Sequence, residues 1–160
     1  MQIEIKNAPA ATVAKVLLKA NESLVAEGGS LMAYQGTVDV ETTTRTKGGG
    51  GFFKGLKRLV SGQTFFVNHF SANADAEVWL GAPLPGDILV KSLQGEKLVV
   101  AGGSLVANES TIETDLEWQG FKSMFSGENL FWIRCQGIGQ VILSSFGFIY
   151  PVQVDGEYIV

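Results

Sequence analysis

The side chains best suited to catalysis in this sequence are those of its single histidine, His69, and its single cysteine, Cys135. Together they could form a catalytic dyad, because a neighbouring base converts a thiol into a nucleophilic thiolate. Cys135 stands in an apolar stretch, however, and no nearby residue orients or activates it. One histidine and one cysteine are also too few for a zinc site. The sequence therefore predicts no metal site and no catalytic residue.

Two pairs of carboxylates are the next candidates, Asp39 with Glu41 and Glu113 with Asp115. Residues two apart on a strand share a face, so each pair could divide acid and base roles if its surroundings separated the two pKa values. Threonines flank both pairs, which is typical of a solvated strand face. The pairs also recur at matching positions of an internal repeat, and we interpret that recurrence as structural.

A glycine run at 48–51 could cradle a phosphate, because successive backbone N–H groups bind anions at the start of a helix. In the best phosphate-loop frame, Gly50 and Gly55 have the right spacing, but Leu56 occupies the position of the required lysine. The Gly-Ile-Gly sequence at 137–139 lacks the third glycine of a dinucleotide loop. We therefore predict no cofactor and interpret the glycine run as the tip of a hairpin.

The segment 52–60 after this run is predicted to be a short amphipathic helix, because its apolar residues follow helical spacing and its cations fall on the other side. It could pack on the sheet or on a partner, or it could lie at a membrane interface. A less basic second copy at 118–125 keeps the aromatic residues, which favours packing. The candidate partner or membrane surface comprises Phe52, Phe53, Lys54, Leu56, Lys57 and Arg58.

A repeated unit positions all these candidates. Residues 24–33, LVAEGGSLMA, return 74 residues later as LVVAGGSLVA, and a turn ending in glutamate precedes each copy. We predict structural turns with positive φ at the two glycine pairs, Gly28 with Gly29 and Gly102 with Gly103. Short β-branched strands lie between the turns. They predict an all-β fold of duplicated β-sandwich or barrel-like modules with short helical insertions.

We expect one compact unit over residues 1–160, built of two β repeats at about 20–94 and 95–155. A third lead-in begins at 156–160, where the sequence GEYIV repeats the start of the earlier units. This pattern predicts an unfinished third repeat, in a truncated or shortened chain, that leaves a strand edge open.

The composition excludes several classes of protein. The net charge of −4 provides no basic field for a phosphate backbone, so nucleic-acid binding is disfavoured. Trp79, Trp118 and Trp132 are interpreted as packing residues rather than base-stacking ones. The first residues do not resemble a signal peptide, no apolar run reaches the ~20 residues of a membrane span, and one cysteine cannot form an intramolecular disulfide. We expect a soluble cytoplasmic protein.

The order of these features resembles a known family. Glu-x-Leu-Val-x-x-Gly-Gly-Ser-Leu is followed by a β run, by the glycine-rich basic segment ending in Ser-Gly, and by a Phe-Phe-Val-Asn strand. This order is similar to the mitochondrial-biogenesis family named for altered inheritance of mitochondria. The resemblance implies a fold like the tryptophan RNA-binding attenuator protein and a trimeric assembly. For bacterial and archaeal members it implies no established activity, and for the yeast member an inner-membrane organising role. No ligand-contacting residue is carried over.

These expectations favour a non-enzymatic, self-associating β scaffold or adaptor, a homo-oligomer for which a trimer is favoured. The alternative is a protein that binds a small ligand or a lipid headgroup, with peripheral membrane contact in one version of it. An enzyme ranks third, because no nucleophile–base–orienter set can be named.

Overall fold

The computed structural model describes residues 1–44, 66–117 and 132–159, and eleven β-strands form this part of the chain. The strands are β1 (Gln2–Lys6), β2 (Val13–Leu18), β3 (Ser23–Glu27), β4 (Leu31–Gln35), β5 (Val38–Thr44), β6 (Phe66–Ala72), β7 (Ala76–Gly81), β8 (Gly86–Ala101), β9 (Leu105–Glu109), β10 (Ile112–Glu117) and β11 (Trp132–Phe146). No helix occurs in the described ranges, so the fold there is all-β as predicted. The helices predicted at 52–60 and 118–125 lie outside the described residues.

The strands form where apolar residues alternate with polar ones. In β2, every second side chain is buried, so Ala14, Val16 and Leu18 face the core. The same period of two appears in β3, where Leu24 and Ala26 are buried. Because successive strand residues point to opposite faces, this alternation gives each strand one core face and one outer face.

The strands are arranged in two curled antiparallel sheets that form a half-barrel. One sheet has four strands in the order β1-β2-β7-β4. The other has seven strands, in the order β10-β11-β9-β3-β6-β5, with β8 paired to β11. Contact between β3 and β9 joins the first half of the chain to the second within this larger sheet.

Two hydrophobic clusters fill the interior. The first cluster contains Phe70, which is fully buried, and inward residues of β2, β3, β6 and β7, together with four residues of the second half. The second cluster is built by β8, β9, β10 and β11 and comprises Leu93, Val100, Leu105, Ile112, Ile133, Cys135 and Val141. Close packing of these side chains is the main source of stability, since buried apolar area contributes about 25 cal/mol per Å².

The two halves share one scheme of strand pairing. In the first half, β7 pairs with β2 and β4, while β6 pairs with β3 and β5. In the second half, β11 occupies the positions of both β6 and β7, β8 those of β2 and β3, and β9 and β10 those of β4 and β5. Leu31 lies opposite Leu80 and Leu105 opposite Leu143, and a register shift adjoins each pair. That the halves are copies of one module stays a prediction.

Long strands in the second half differ from the sequence expectation. The Gly-Glu turn at 95–96 was expected to separate two strands, but β8 continues through it from Gly86 to Ala101. Gly95 has a φ of 106°, and a single residue in this conformation bends a strand without ending it. Hydrogen bonding to β11 on both sides of Gly95 maintains the strand.

Candidate protein-interaction surface

The two predicted glycine pairs lie in turns of the same geometry. Ser30 N donates to Glu27 O at 3.1 Å, and Ser104 N donates to Ala101 O at 3.0 Å. The second glycine of each pair has positive φ, 92° at Gly29 and 84° at Gly103. Such a conformation is strained for residues with a Cβ, so glycine is required by the backbone rather than by a ligand.

The turns also come together in space. Residues of both, including Gly28 and Gly103, line one cavity of about 60 Å³ with Pro83 and Ser144. After each turn, the serine carbonyl accepts a hydrogen bond from the neighbouring strand: Gly81 N donates to Ser30 O at 2.9 Å and Ser144 N to Ser104 O at 2.8 Å. The repeated motif therefore anchors the start of β4 and of β9 in equivalent ways.

Burial differs sharply between the strands that follow these turns. β9 lies between β3 and β11, and Val106 and Asn108 are 3% and 1% exposed. β4 ends its sheet and, in the described residues, pairs with β7 alone. Its Met32 and Tyr34, at the positions of those two residues, are 61% and 50% exposed. An open strand edge carrying large apolar side chains is a surface for pairing with another strand.

A second open edge lies on β8. Residues 98–100 pair with β11 on one side, and no other described strand pairs with them. Val99 is 41% exposed, whereas its counterpart Val25 on β3 is covered by β9, opposite Asn108. Among the described strands, the edges at β4 and at residues 98–100 of β8 therefore each lack a neighbour that the counterpart in the other half possesses.

Residues 147–159 form no strand, although their apolar residues alternate. Large exposed side chains occupy every second position from the end of β11 onward, namely Phe146, Phe148, Tyr150, Val152 and Val154. This period of two is typical of a strand with one apolar face. Gly156 has a φ of 91°, similar to that of Gly95, so the third lead-in bends the chain as the second does.

A groove of about 380 Å³ lies at the amino-terminal end of the fold, lined by Met1, Gln2, Leu17, Leu18, Lys19, Glu22, Asp75 and Ala76. Glu22 accepts a hydrogen bond from Lys19 N at 2.8 Å and from the Met1 ammonium at 2.7 Å. The backbone hydrogen bond, and then the ammonium, hold the pKa of the Glu22 carboxyl below its usual value. Lys19 forms an ion pair with Asp75 at 2.6 Å. The groove therefore presents charges of both signs.

The outer face of the four-stranded sheet carries a tryptophan fixed by charges. Lys15 Nζ lies 5.3 Å from the centre of the Trp79 ring and 2.7 Å from Glu77. Trp79 Nε1 donates to the same carboxylate at 3.1 Å. The Lys15 ammonium, as hydrogen-bond donor, lowers the pKa of Glu77, and the carboxylate in turn raises the pKa of Lys15.

The two candidate catalytic residues, His69 and Cys135, make separate contacts within the fold. His69 Nε2 lies 2.9 Å from Thr43 Oγ1 on the neighbouring strand, while Cys135 is buried in the second cluster, so the structure does not bring the two together as a dyad. In the described part of the chain, no group of three or more histidine, cysteine, aspartate and glutamate side chains could hold a metal ion.

One carboxylate of each predicted pair makes a contact with a residue outside its own strand. Asp39 Oδ2 accepts a hydrogen bond from Asn73 at 2.8 Å, and Asp115 forms an ion pair with Arg134 at 3.1 Å. The predicted surface formed by Phe52, Phe53, Lys54, Leu56, Lys57 and Arg58 lies outside the described residues.

The β4 edge was not anticipated from the sequence. Its one signal was the pair of large apolar residues, Met32 and Tyr34, spaced by two in the repeated motif.

In the described residues, the fold is an all-β half-barrel of curled sheets, in which β4 and β8 have open edges. Comparison with known proteins agrees: the family described as "Mitochondrial biogenesis AIM24" matches residues 3–160, and the chain belongs to this family.

Two Streptococcus pyogenes proteins are similar to the chain. An uncharacterised protein of serotype M6 is 27% identical over 139 residues, which is 84% of this chain and 56% of that protein. The chain thus spans just over half the length of this curated relative. An X-ray structure of a second S. pyogenes protein has the same fold, with a TM-score of 0.75 and 21% identity over 97% of this chain and 69% of that one. The described residues contain no helix able to cross a membrane.

Proposed function

We propose that this protein is a non-enzymatic scaffold or adaptor that works by associating with further copies of itself. The contrast between β4 and β9 carries the proposal. Strands in equivalent positions, after the same turn, are buried on one side of the molecule and exposed on the other. An exposed edge with apolar side chains is costly to leave in water and prone to pair, so its presence favours an assembly that covers it.

The surroundings of the two candidate catalytic residues support the non-enzymatic part of this proposal, since Cys135 is buried and His69 is hydrogen-bonded to Thr43. A cytoplasmic location belongs to the same proposal, because a sequence with a single cysteine can form no intramolecular disulfide, which suits a reducing compartment. A trimer is the assembly size that the family resemblance favours.

Light scattering coupled to gel filtration tests the proposal at micromolar protein concentration. We expect an assembly of about three times the monomer mass, and a monomer at all concentrations up to about 100 µM would overturn it. Salt tolerance is a further expectation, because an interface based on strand pairing and apolar contacts is less sensitive to ionic strength than one based on surface charges.

A second candidate function is suggested by the amino-terminal groove. Its charges, Glu22, Asp75 and Lys19, favour a small ligand that carries both signs of charge, such as a zwitterionic headgroup. Native mass spectrometry of protein purified from its own host would detect such a ligand as an added mass. Glu22→Gln should abolish the addition, while Glu4→Gln, on the outer sheet face, should leave it unchanged. Consistent absence of any added mass would contradict this second function.

A further inference from the structure

We propose that the end of the fold at which the two Gly-Gly turns meet docks on a lipid bilayer that carries anionic headgroups. This turn end comprises both turns, the loop residues Pro83 and Leu84, and Phe66 at the start of β6. The inference goes beyond the proposed self-association and does not require it.

Strand pairing attaches a long connection to the first turn. β5 ends at Thr44, which pairs with Phe66 at the start of β6, so residues 45–65 connect two neighbouring positions. The backbone of Phe66 is fixed to the first turn, because Gly28 N donates to Phe66 O at 2.7 Å. The first connection therefore leaves and re-enters the described fold beside Gly28.

A second connection is attached at the equivalent place in the second half. β10 ends at Glu117, which pairs with Trp132 at the start of β11, so residues 118–131 connect these two positions. Trp132 also pairs with Ala101, the residue that precedes the second Gly-Gly turn. Because both turns line one small cavity, the strand ends that carry the two connections lie at the same end of the molecule.

The sequence of the first connection is strongly basic. It contains no aspartate or glutamate and five cationic residues, Arg45, Lys47, Lys54, Lys57 and Arg58. Since the whole chain has a net charge of −4, the residues outside this connection carry a net charge of −9. A protein with its charges separated in this way turns its basic end toward an anionic surface.

Both connections are also rich in phenylalanine. Together they hold six of the ten phenylalanines of the chain in 35 of its 160 residues, and Trp118 in addition. Such aromatic side chains enter the boundary between headgroups and acyl chains. The second connection, whose one lysine and one glutamate cancel, thus shares with the first the residues that a membrane interface takes up.

The described side chains at the turn end have the same apolar character. Leu84, which stands between Pro83 and Pro85, is 63% exposed, and Phe66 is 52% exposed. Large apolar side chains in water carry a hydration cost that insertion at a bilayer surface removes. Exposed apolar residues therefore lie beside the points at which the connections attach.

The other end of the fold has a different charge pattern. The amino-terminal groove lies there, because β3 separates Glu22, which lines the groove, from the first Gly-Gly turn. In the groove Lys19 is paired with Asp75 at 2.6 Å. A cation that is already paired with a carboxylate gains little from an anionic bilayer. The charges thus favour docking through the turn end.

Charge and apolar side chains together select a bilayer among anionic partners. Stable membrane anchoring takes two signals, such as an apolar insertion and a basic patch, and the turn end has both. A nucleic acid would also attract the cations. Aliphatic side chains such as Leu84, Leu56 and Met124, however, insert among acyl chains but do not stack on bases.

Co-sedimentation of the full chain with vesicles tests the proposal. Vesicles of phosphatidylglycerol and phosphatidylcholine in equal parts should bind the protein at least ten-fold more tightly than vesicles of phosphatidylcholine alone. Raised salt should weaken the binding, because it screens the cations. Equal binding to both vesicles, no binding to either, or tighter binding to double-stranded DNA than to the anionic vesicles would overturn the proposal.

Two charge-reversal variants with the same net charge locate the contact. Lys54→Glu/Lys57→Glu should bind the anionic vesicles at least ten-fold more weakly than the wild type. Lys19→Glu/Lys97→Glu is the matched control, because both lysines are exposed beside the lead-in turns at the other end. It should bind within two-fold of the wild type, with circular dichroism showing both variants folded. Equal weakening of the two variants would overturn the assignment to the turn end.

An apolar substitution within the described residues tests insertion separately. Leu84→Ser should weaken binding to the anionic vesicles at least three-fold, because it removes an exposed apolar side chain from the contact. Ile138→Ser is the matched control, since Ile138 is 66% exposed and pairs with Gln94 beside the second lead-in turn. Loss of binding by Ile138→Ser, with none by Leu84→Ser, would place the contact at the other end and overturn the proposal.

A fluorescent label reports the orientation of the bound protein. Cys135 is buried, so a thiol-reactive dye should label the new cysteine of Leu84→Cys or Ile138→Cys selectively. Brominated lipids should quench the dye at position 84 and leave the dye at position 138 bright. Equal quenching of the two would contradict docking through the turn end. Light scattering on the same variants reports self-association, so failure of docking leaves the scaffold proposal standing.

Discussion

β4 and β9 are five-residue strands that follow the same Gly-Gly-Ser turn and pair with the same kind of neighbour, yet one is exposed and the other is buried. The difference arises from β3, which pairs with the far edge of β9. No described strand does so for β4. Strand formation is therefore a local property of these segments, whereas burial is set by a neighbour distant in sequence.

Substitution of the first leucine of β4 or of β9 should produce the largest difference in loss of stability between the two halves. Leu105 is fully buried in the second cluster, whereas Leu31 is partly buried beside the first. We expect Leu105→Ala to lower the free energy of unfolding by about 3 kcal/mol and Leu31→Ala by about half as much. Urea denaturation measures both values. Equal losses would show that β4 is packed as tightly as β9 in solution.

Substitution of the second glycine in each turn should have a smaller effect that is similar in the two halves. Gly29→Ala and Gly103→Ala should each cost about 1–2 kcal/mol, because both positions have positive φ. No atom lies within 4 Å of an added Cβ at either position, so the cost comes from the backbone alone. Asparagine, which tolerates this conformation, should restore part of the loss in thermal melts. A large difference between Gly29→Ala and Gly103→Ala would contradict the equivalence of the turns.

The glutamates of the two lead-in turns should give the halves different sensitivity to acid. Glu22 and Glu96 each accept a backbone N–H bond, from Lys19 and Gln94, which lowers the pKa of both carboxyls. Because the pKa is lower in the folded state, the resulting stability is complete above the unfolded value of 4.5 and is lost as pH falls through the folded value.

Melting temperature measured from pH 7 to pH 2 tests this expectation. The wild type should lose more stability than Glu22→Gln over the acid range. Glu96→Gln should remove a smaller part of the acid dependence, because Glu22 also pairs with the Met1 ammonium. A Glu22→Gln variant with the acid dependence of the wild type would contradict the assignment.

The smallest effect should come from the charged face around Trp79. Trp79 and Lys15 lie opposite one another in the first half, and the matching pair of the second half is Ile142 and Val90. Ile142 is fully buried, and this pair carries no charge. Lys15→Met should therefore leave the fold intact and change stability little, since exposed ion pairs contribute little. Loss of the cation over the ring should shift tryptophan fluorescence, with Lys6→Met as the matched control. Unfolding of Lys15→Met would show that the ion pair is structural.

Much of the fold could be predicted from the sequence because the signals were local. Alternating β-branched residues predicted an all-β fold, which is confirmed in the described ranges. A hydrogen bond closes a turn at each of the Gly-Gly pairs, with positive φ at Gly29 and Gly103. Family membership was confirmed over residues 3–160.

Pairing partners could not be predicted, because a period of two specifies a strand's faces but not its neighbours. For that reason the continuity of β8 and β11, and the open edge of β4, were visible only in the structure. Met32 and Tyr34 are large and apolar, as core residues are, yet they lie at a sheet edge because β4, among the described strands, pairs with β7 alone.

The β3–β9 pairing has a consequence for how the protein opens. It connects residues more than 80 positions apart, and β9 is also held by β11. β3 and β9 cannot part without breaking the ladder that joins the two halves, so amide hydrogens of β3, β9 and β11 should exchange with solvent only in global unfolding. Amide hydrogens of β4, which has one neighbour among the described strands, should exchange through local fraying. The exposed β4 edge, at which we propose that copies associate, is thus also the place where we expect the folded chain to loosen first.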